Sequence, residues 1–132
     1  MDIFTPYAST ILAVGVLAAL QVLQQLVADV VAIRRKHEPG TALPGGHDDL
    51  LFRSGRAFAN SVENTGLFLL VLAFAVLRET DPAWVDRLVW AYVVSRGGHM
   101  VCYWLDVRSI RSLFFTVGLL AVIGLLVMGF LA

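Results

Sequence analysis

Four long apolar segments constrain what this chain can fold into. They cover residues 7–33, 57–77, 84–105 and 113–131, and hydrophobic residues make up 58% of the 132-residue chain. An α-helix of about 20 apolar residues crosses the hydrocarbon core of a bilayer, and each segment has that length. The pattern predicts an all-α, multi-pass integral membrane protein, a four-helix bundle forming a single domain over residues 1–132. With their polar ends included, the helices are expected at about 7–33, 49–77, 84–105 and 110–131.

The basic residues are divided unevenly between the two ends of such a bundle. The end that carries the first and third loops holds eight of the ten: Arg34, Arg35, Lys36, Arg53, Arg56, Arg96, Arg108 and Arg111. The other end holds Arg78 and Arg87. Because basic residues accumulate on the cytoplasmic side of membrane proteins, we expect these two loops in the cytoplasm and both termini on the opposite side. The formal net charge is zero, and we expect a lipid bilayer, not nucleic acid, as the partner.

A polar stripe opens the second helix. Arg53, Arg56, Asn60 and Glu63 are spaced at i, i+3, i+7 and i+10, which places them on one helix face. The axial rise from Arg56 to Glu63 is roughly 10 Å, so the carboxylate is predicted to lie below the bilayer surface. An ionisable group at that depth costs on the order of 2–3 kcal/mol, and we therefore expect Glu63 to face a protein interior. Two arginines above one carboxylate would suit a small zwitterion.

The third helix carries a second stripe on one face. Tyr92, Arg96, His99 and Tyr103 are spaced at i, i+4, i+7 and i+11, and Arg111 begins the fourth helix at the same cytoplasmic level. Such a site offers guanidinium groups for carboxylates, one carboxylate for an ammonium group, an amide and a phenol. Glutathione matches this inventory, although the spacing alone does not single it out.

Two further features are interpreted as packing. The first helix has polar residues that should face other helices and form hydrogen bonds between them: Gln21, Gln24, Gln25 and Asp29. The single cysteine, Cys102, lies among apolar neighbours. One cysteine cannot form an intrachain disulfide, which excludes the four-helix quinone-linked thiol oxidases that need paired cysteines. No metal site is expected.

Two motifs resemble those of a known family. They are Arg56-Ala57-x-x-Asn60-x-x-Glu63, and Arg96-x-x-His99-x-x-x-Tyr103 followed by Arg108-Ser109-Ile110-Arg111-Ser112. The chain resembles, over nearly its whole length, the MAPEG family of membrane-associated proteins in eicosanoid and glutathione metabolism. The family includes microsomal glutathione transferases and the leukotriene and prostaglandin E synthases.

The resemblance implies a glutathione-dependent transferase or peroxidase that acts on lipophilic electrophiles or lipid hydroperoxides. Glutathione, as co-substrate, would bind between the subunits of a homotrimer. Arg111 would stabilise the glutathione thiolate, with Arg108 as the rival for that role, and the remaining binding residues would be Arg53, Arg56, Asn60, Glu63, Arg96, His99 and Tyr103. The positions of Phe58 and Ala59 carry polar residues in some prostaglandin synthases, and the position of Phe115 carries a tyrosine in some members of the family. These differences favour a generic transferase or peroxidase over an eicosanoid synthase.

Two other functions remain as alternatives. A non-catalytic member, resembling the lipoxygenase-activating protein, would bind lipid and act as a scaffold. The presence of Arg56, Glu63 and Arg111 favours the enzyme, because a scaffold does not need a thiolate stabiliser. A small four-helix multidrug exporter would need a carboxylate midway along the first helix, whereas Asp29 is near the cytoplasmic end of that helix.

Overall fold

The computed structural model describes residues 5–132, and this part of the chain is all-α. A 3₁₀ turn at Thr5–Tyr7 leads into four α-helices, which confirms the predicted fold class. Their bounds are α1 Ala8–Arg34, α2 Leu50–Leu77, α3 Pro82–Trp104 and α4 Arg108–Leu131.

Aspartates fix the beginnings of the second and third helices. The Asp49 side chain accepts a hydrogen bond from the Leu51 N–H at 2.9 Å, and this cap begins α2. Asp81 caps α3 in the same way, accepting from the Ala83 N–H at 2.9 Å. Pro82 then occupies the first turn, where its missing N–H costs no helical hydrogen bond. The cap explains why α3 begins two residues before the start of the apolar segment.

Three helical stretches are long and apolar enough to cross a membrane: Thr5–Arg34, Leu50–Leu77 and Arg108–Leu131. Of the four spans expected from the sequence, three therefore meet this requirement of length and apolar composition. The third helix does not meet it, because Asp86, Arg87, Arg96 and His99 interrupt its apolar sequence. Within the bundle, α3 packs against each of the other three helices. Enclosure by its neighbours keeps Arg96 and His99 buried, with 3% and 4% of their surface exposed.

Glycines allow α4 to pack closely on α3. The ring of Phe114 lies against Gly98, and the Ser95 hydroxyl lies against Gly118, so a β-carbon at either glycine would clash. Within residues 5–132, α1 and α4 do not pack on each other and flank the central pair formed by α2 and α3. Phe68 of α2 stacks on Tyr92 of α3 in the buried core, with ring centroids 4.0 Å apart.

The outer surface of the bundle is apolar. Leu12, Leu70 and Leu77 are 63%, 69% and 81% exposed, and many other large aliphatic side chains also face outward. An exposed apolar surface of this extent is typical of a protein surrounded by lipid or by other subunits.

Candidate functional site

The polar stripe on α2 separates into two columns. Arg56 and Glu63 form the outer column, where Arg56 Nη1 lies 3.5 Å from Glu63 Oε1. The Glu63 side chain is 56% exposed, so the expectation that it faces the interior is not met within this chain. The physical reason is angular: at 100° per residue, Arg56 and Glu63 point outward, whereas Arg53 and Asn60 point towards α3.

The inner column consists of Arg53 and Asn60. Asn60 and the adjacent Ser61 form a hydrogen-bond network with α1 and α3. Arg96 Nη2 donates to Asn60 Oδ1 at 2.8 Å and to Ser61 Oγ at 3.1 Å. Ser61 Oγ in turn donates to Gln24 Oε1 at 2.9 Å. Arg96 Nε is buried and makes no hydrogen bond in the described part of the chain. The network therefore connects three helices and leaves the buried Arg96 Nε without a partner among the described residues.

Only part of the polar set on α1 contacts another helix. Gln21 donates to Thr65 of α2, and Gln24 is 1% exposed and bonded to Ser61. Both contacts confirm the interpretation of these glutamines as interhelical hydrogen-bonding residues. Gln25 instead donates to Asp29 of its own helix at 2.7 Å, on the exposed face. Within the described chain, Gln25 and Asp29 therefore bond to each other and not to another helix.

An aromatic cluster surrounds Tyr103 at the end where α3 meets α4. His99 contacts the ring edge-on, with centroids 5.1 Å apart. The Arg111 guanidinium carbon lies over the same ring, 4.4 Å from its centroid. His99 Nδ1 is buried and has no hydrogen-bond partner among the described residues. A buried donor or acceptor of this kind is available to a ligand.

Arg108 and Arg111 point in different directions, although they are one helical turn apart. Arg108 faces loop carboxylates: its guanidinium lies 3.5 Å from Asp48 Oδ1 and 3.4 Å from Asp106 Oδ1, with 58% of the side chain exposed. Arg111 is half-buried and turned over Tyr103. Of the two candidates for contact with a thiolate, only Arg111 lies in the cluster around Tyr103.

Arg53 lies beside this cluster but is occupied by backbone groups. Its Nη1 donates to the His47 carbonyl at 2.7 Å, and its Nη2 donates to the Trp104 carbonyl at 3.4 Å. Arg53 thus connects the end of loop one to the C-terminus of α3, where a cation complements the helix dipole.

His47 belongs to the same cluster and is absent from the sequence-based set. Its ring stacks near Tyr103 at a centroid distance of 6.2 Å, and its Nδ1 lies 3.4 Å from Arg111 Nη1. His47 follows Pro44-Gly45-Gly46 in loop one. Helical periodicity cannot identify a loop residue, and the sequence contains no other signal that separates His47 from the neighbouring polar residues.

The cluster carries an excess of positive charge. Within residues 5–132, Arg53, Arg96 and Arg111 have no carboxylate within 4.0 Å, whereas Arg35 and Arg56 are each paired with one and Arg108 with two. Unpaired guanidinium groups that are half-buried or buried favour an anionic ligand. The cavity next to Arg96 and Phe115 measures about 20 Å³. This volume has room for about one water molecule and is far too small for a tripeptide.

The residues of both stripes fall within a single family match. A family model described as the MAPEG family matches residues 10–131, nearly the whole chain. The chain belongs to the MAPEG family. With three helical stretches that can cross a bilayer, this MAPEG protein is an integral membrane protein. No curated protein matched the chain in a sequence comparison.

Proposed function

We propose that this MAPEG protein is a membrane-bound glutathione-dependent transferase or peroxidase whose acceptors are lipophilic electrophiles or lipid hydroperoxides. The orientation of Arg111 is the observation that carries the proposal. Its guanidinium lies over Tyr103 without an acidic partner in the described chain, while Arg108, one turn away, is paired with Asp48 and Asp106. An arginine kept free of carboxylates is available to an anion such as a thiolate.

Stabilisation of a thiolate is the catalytic role that we assign to Arg111. A free thiol has a pKa of about 8.5 and is mostly protonated at neutral pH. A guanidinium in contact with the sulfur lowers the pKa of the thiol, because it favours the charged form. His99 and Tyr103, which line the same cluster, would contact the bound peptide, as would the Asn60 and Arg96 pair.

The thiolate would react in one of two ways. In the transferase reaction, its electron pair forms a carbon–sulfur bond with the electrophile, and the leaving group or the adjacent carbon accepts the electrons. In the peroxidase reaction, the thiolate attacks the terminal oxygen of a hydroperoxide, and the O–O bond breaks to release the lipid alkoxide. The alkoxide takes up the proton that the thiol lost on ionisation and becomes the lipid alcohol. The sulfenic acid formed on glutathione then condenses with the thiol of a second glutathione, giving the disulfide and water.

A homotrimer would complete the site. Arg56 and Glu63 face away from the bundle, and Val62 and Leu70 of the same helix are 49% and 69% exposed. A charged pair on such a surface is costly against lipid, so contact with another subunit is favoured. We propose three subunits, with Glu63 of one subunit serving the glutathione ammonium group beside the cluster of its neighbour. The clusters would face the cytoplasm, with both termini on the opposite side.

Binding of glutathione to the purified protein in detergent tests this function. Titration should show saturable binding in the millimolar range or below, and the ultraviolet absorbance of a thiolate should appear at neutral pH. Absence of binding at millimolar glutathione, from protein that melts cooperatively, would contradict the proposal and favour the lipid-binding scaffold. Binding without thiolate absorbance would contradict only the role assigned to Arg111, and glutathione binding itself would stand.

A further inference from the structure

Arg111 needs a restraint if it is to stay over Tyr103. Arginine side chains carry about 2 kcal/mol of rotamer entropy, and Arg111 lies in the first turn of α4, close to the solvent. Asp48 and Asp106 lie nearby with 99% and 30% of their side chains exposed, and both already pair with Arg108. Arg108, one turn earlier on the same helix, is turned towards these carboxylates, whereas Arg111 is turned over Tyr103.

His47 supplies a restraint. Its Nδ1 lies 3.4 Å from Arg111 Nη1, and an arginine can only donate. The contact is therefore a hydrogen bond when His47 is neutral and carries its proton on Nε2. The ring also lies at 25° to the Tyr103 ring, so His47 and Arg111 cover the same aromatic side chain.

His47 is itself held in place. Its carbonyl accepts the hydrogen bond from Arg53 Nη1, and its ring packs edge-on against Phe52 with centroids 5.2 Å apart. Leu43, earlier in loop one, packs against α2 at Gly55, where there is no side chain to obstruct it. These contacts fix the loop against the start of α2.

We propose that His47 is a positioning residue, which accepts a hydrogen bond from Arg111 and holds its guanidinium over Tyr103, and that Arg53 acts through the backbone of His47. The inference rests on the proposed function only for its catalytic consequence. The positioning of Arg111 is a property of the protein without glutathione. Arg53 is expected from the sequence to bind glutathione. In this scheme it would instead hold the backbone of His47 in place.

Two variants separate the hydrogen bond from the packing of the ring. His47→Phe keeps a ring against Tyr103 and Phe52 but removes the acceptor. His47→Asn keeps an acceptor near the position of Nδ1 but removes the ring. His37→Phe is the matched control, because His37 is in the same loop and its Nε2 faces the Thr41 hydroxyl at 3.4 Å, away from the cluster.

The first measurement does not involve glutathione. Phenylglyoxal modifies accessible arginines, and peptide mass spectrometry gives the rate at Arg111. We expect His47→Phe to increase that rate several-fold, His47→Asn to stay near the wild type and His37→Phe to match it. An unchanged rate at Arg111 in His47→Phe would overturn the inference, whether or not the protein binds glutathione.

The second measurement tests the catalytic consequence. In His47→Phe, the pH midpoint of thiolate formation should rise by about one unit. Turnover at neutral pH should fall about tenfold and recover at alkaline pH, with the glutathione KM little changed. Equal losses in His47→Phe and His47→Asn, accompanied by lower melting temperatures, would indicate a structural role and contradict the proposal. A wild type without bound thiolate would count against the proposed function, while the modification rates would still decide the inference.

Discussion

The guanidinium carbon of Arg111 lies 4.4 Å from the centroid of the Tyr103 ring. This contact connects the first turn of α4 to the last turn of α3 and places a cation without an acidic partner in the described chain beside His99. A cation over an aromatic face gains about 0.5–2 kcal/mol, depending on how far it is removed from water. The contact is weak enough for an anionic ligand to compete for the guanidinium donors, which is what a thiolate-stabilising residue requires.

Arg111→Ala should separate catalysis from binding. If the proposed site is correct, glutathione affinity should change little, because the remaining residues would hold the peptide, but the pKa of the bound thiol should rise towards its free value. Turnover at neutral pH should fall at least about tenfold, or about 1.4 kcal/mol, and should partly recover at alkaline pH. Thiolate absorbance and a pH–rate profile measure both effects.

Arg108→Ala is the matched control for this substitution. It removes an exposed guanidinium that faces Asp48 and Asp106, and exposed ion pairs contribute about 0–1 kcal/mol to stability. Turnover and thiolate absorbance should therefore stay near the wild type. A larger effect from Arg108→Ala than from Arg111→Ala would contradict the assignment of the thiolate-stabilising role to Arg111.

Gln24→Ala should destabilise the bundle. Gln24 is 1% exposed and accepts the hydrogen bond from Ser61, which also accepts from Arg96. Removing it leaves a buried hydroxyl with one partner fewer, at a cost of about 1–3 kcal/mol in the free energy of unfolding. Gln25→Ala, which removes an exposed bond to Asp29, should have little effect. Thermal melting of both variants in the same detergent provides the comparison, and equal melting temperatures would contradict the buried role of Gln24.

The helices could be predicted because their signals are local. Apolar segments of membrane-spanning length are visible in the sequence, whereas the Asp81 cap, which begins α3 two residues earlier than expected, was found in the structure. The third helix is the informative exception. Its polar residues make it a poor span by composition, and only the packing of three neighbours explains how Arg96 and His99 can be buried.

The faces of the helices could not be predicted to the same degree. Spacing placed Asn60 and Glu63 in one stripe, yet a rotation of 60° between them directs one to Arg96 and the other away from the bundle. Likewise Gln24 and Gln25 are adjacent, and only the position of α2 decides which of them is buried. His47 lies in a loop, and a loop has no periodic pattern from which its place in the site could be predicted.

Assembly into a trimer should be measurable directly. Native mass spectrometry of the protein released from detergent micelles should give the mass of three chains, with the same result over a range of concentrations. The outward charged pair of Arg56 and Glu63 within an apolar helix surface favours an oligomer, and the number three is the one that the family resemblance implies. Observation of monomer alone at every concentration would reject it.

Glu63→Gln tests whether the exposed carboxylate binds the glutathione ammonium group or stabilises the folded, assembled protein. The substitution keeps the shape of the side chain and removes its charge. If Glu63 binds the glutathione ammonium group, affinity should weaken by about 1–3 kcal/mol, the contribution of a charge-assisted hydrogen bond. Its only ion pair in the described chain is the 3.5 Å contact with Arg56, where both side chains are substantially exposed, so the folded chain should lose little stability.

Asp29→Asn provides the control for this experiment. Asp29 is another exposed carboxylate, on α1, and its contact in the bundle is with Gln25 of the same helix. It should leave glutathione affinity unchanged. A melting curve and a binding titration of both variants decide between the two roles. Should Glu63→Gln lower the melting temperature or dissociate the oligomer while the remaining assembled protein binds glutathione normally, Glu63 would be a subunit-contact residue, and the ammonium group would require another partner.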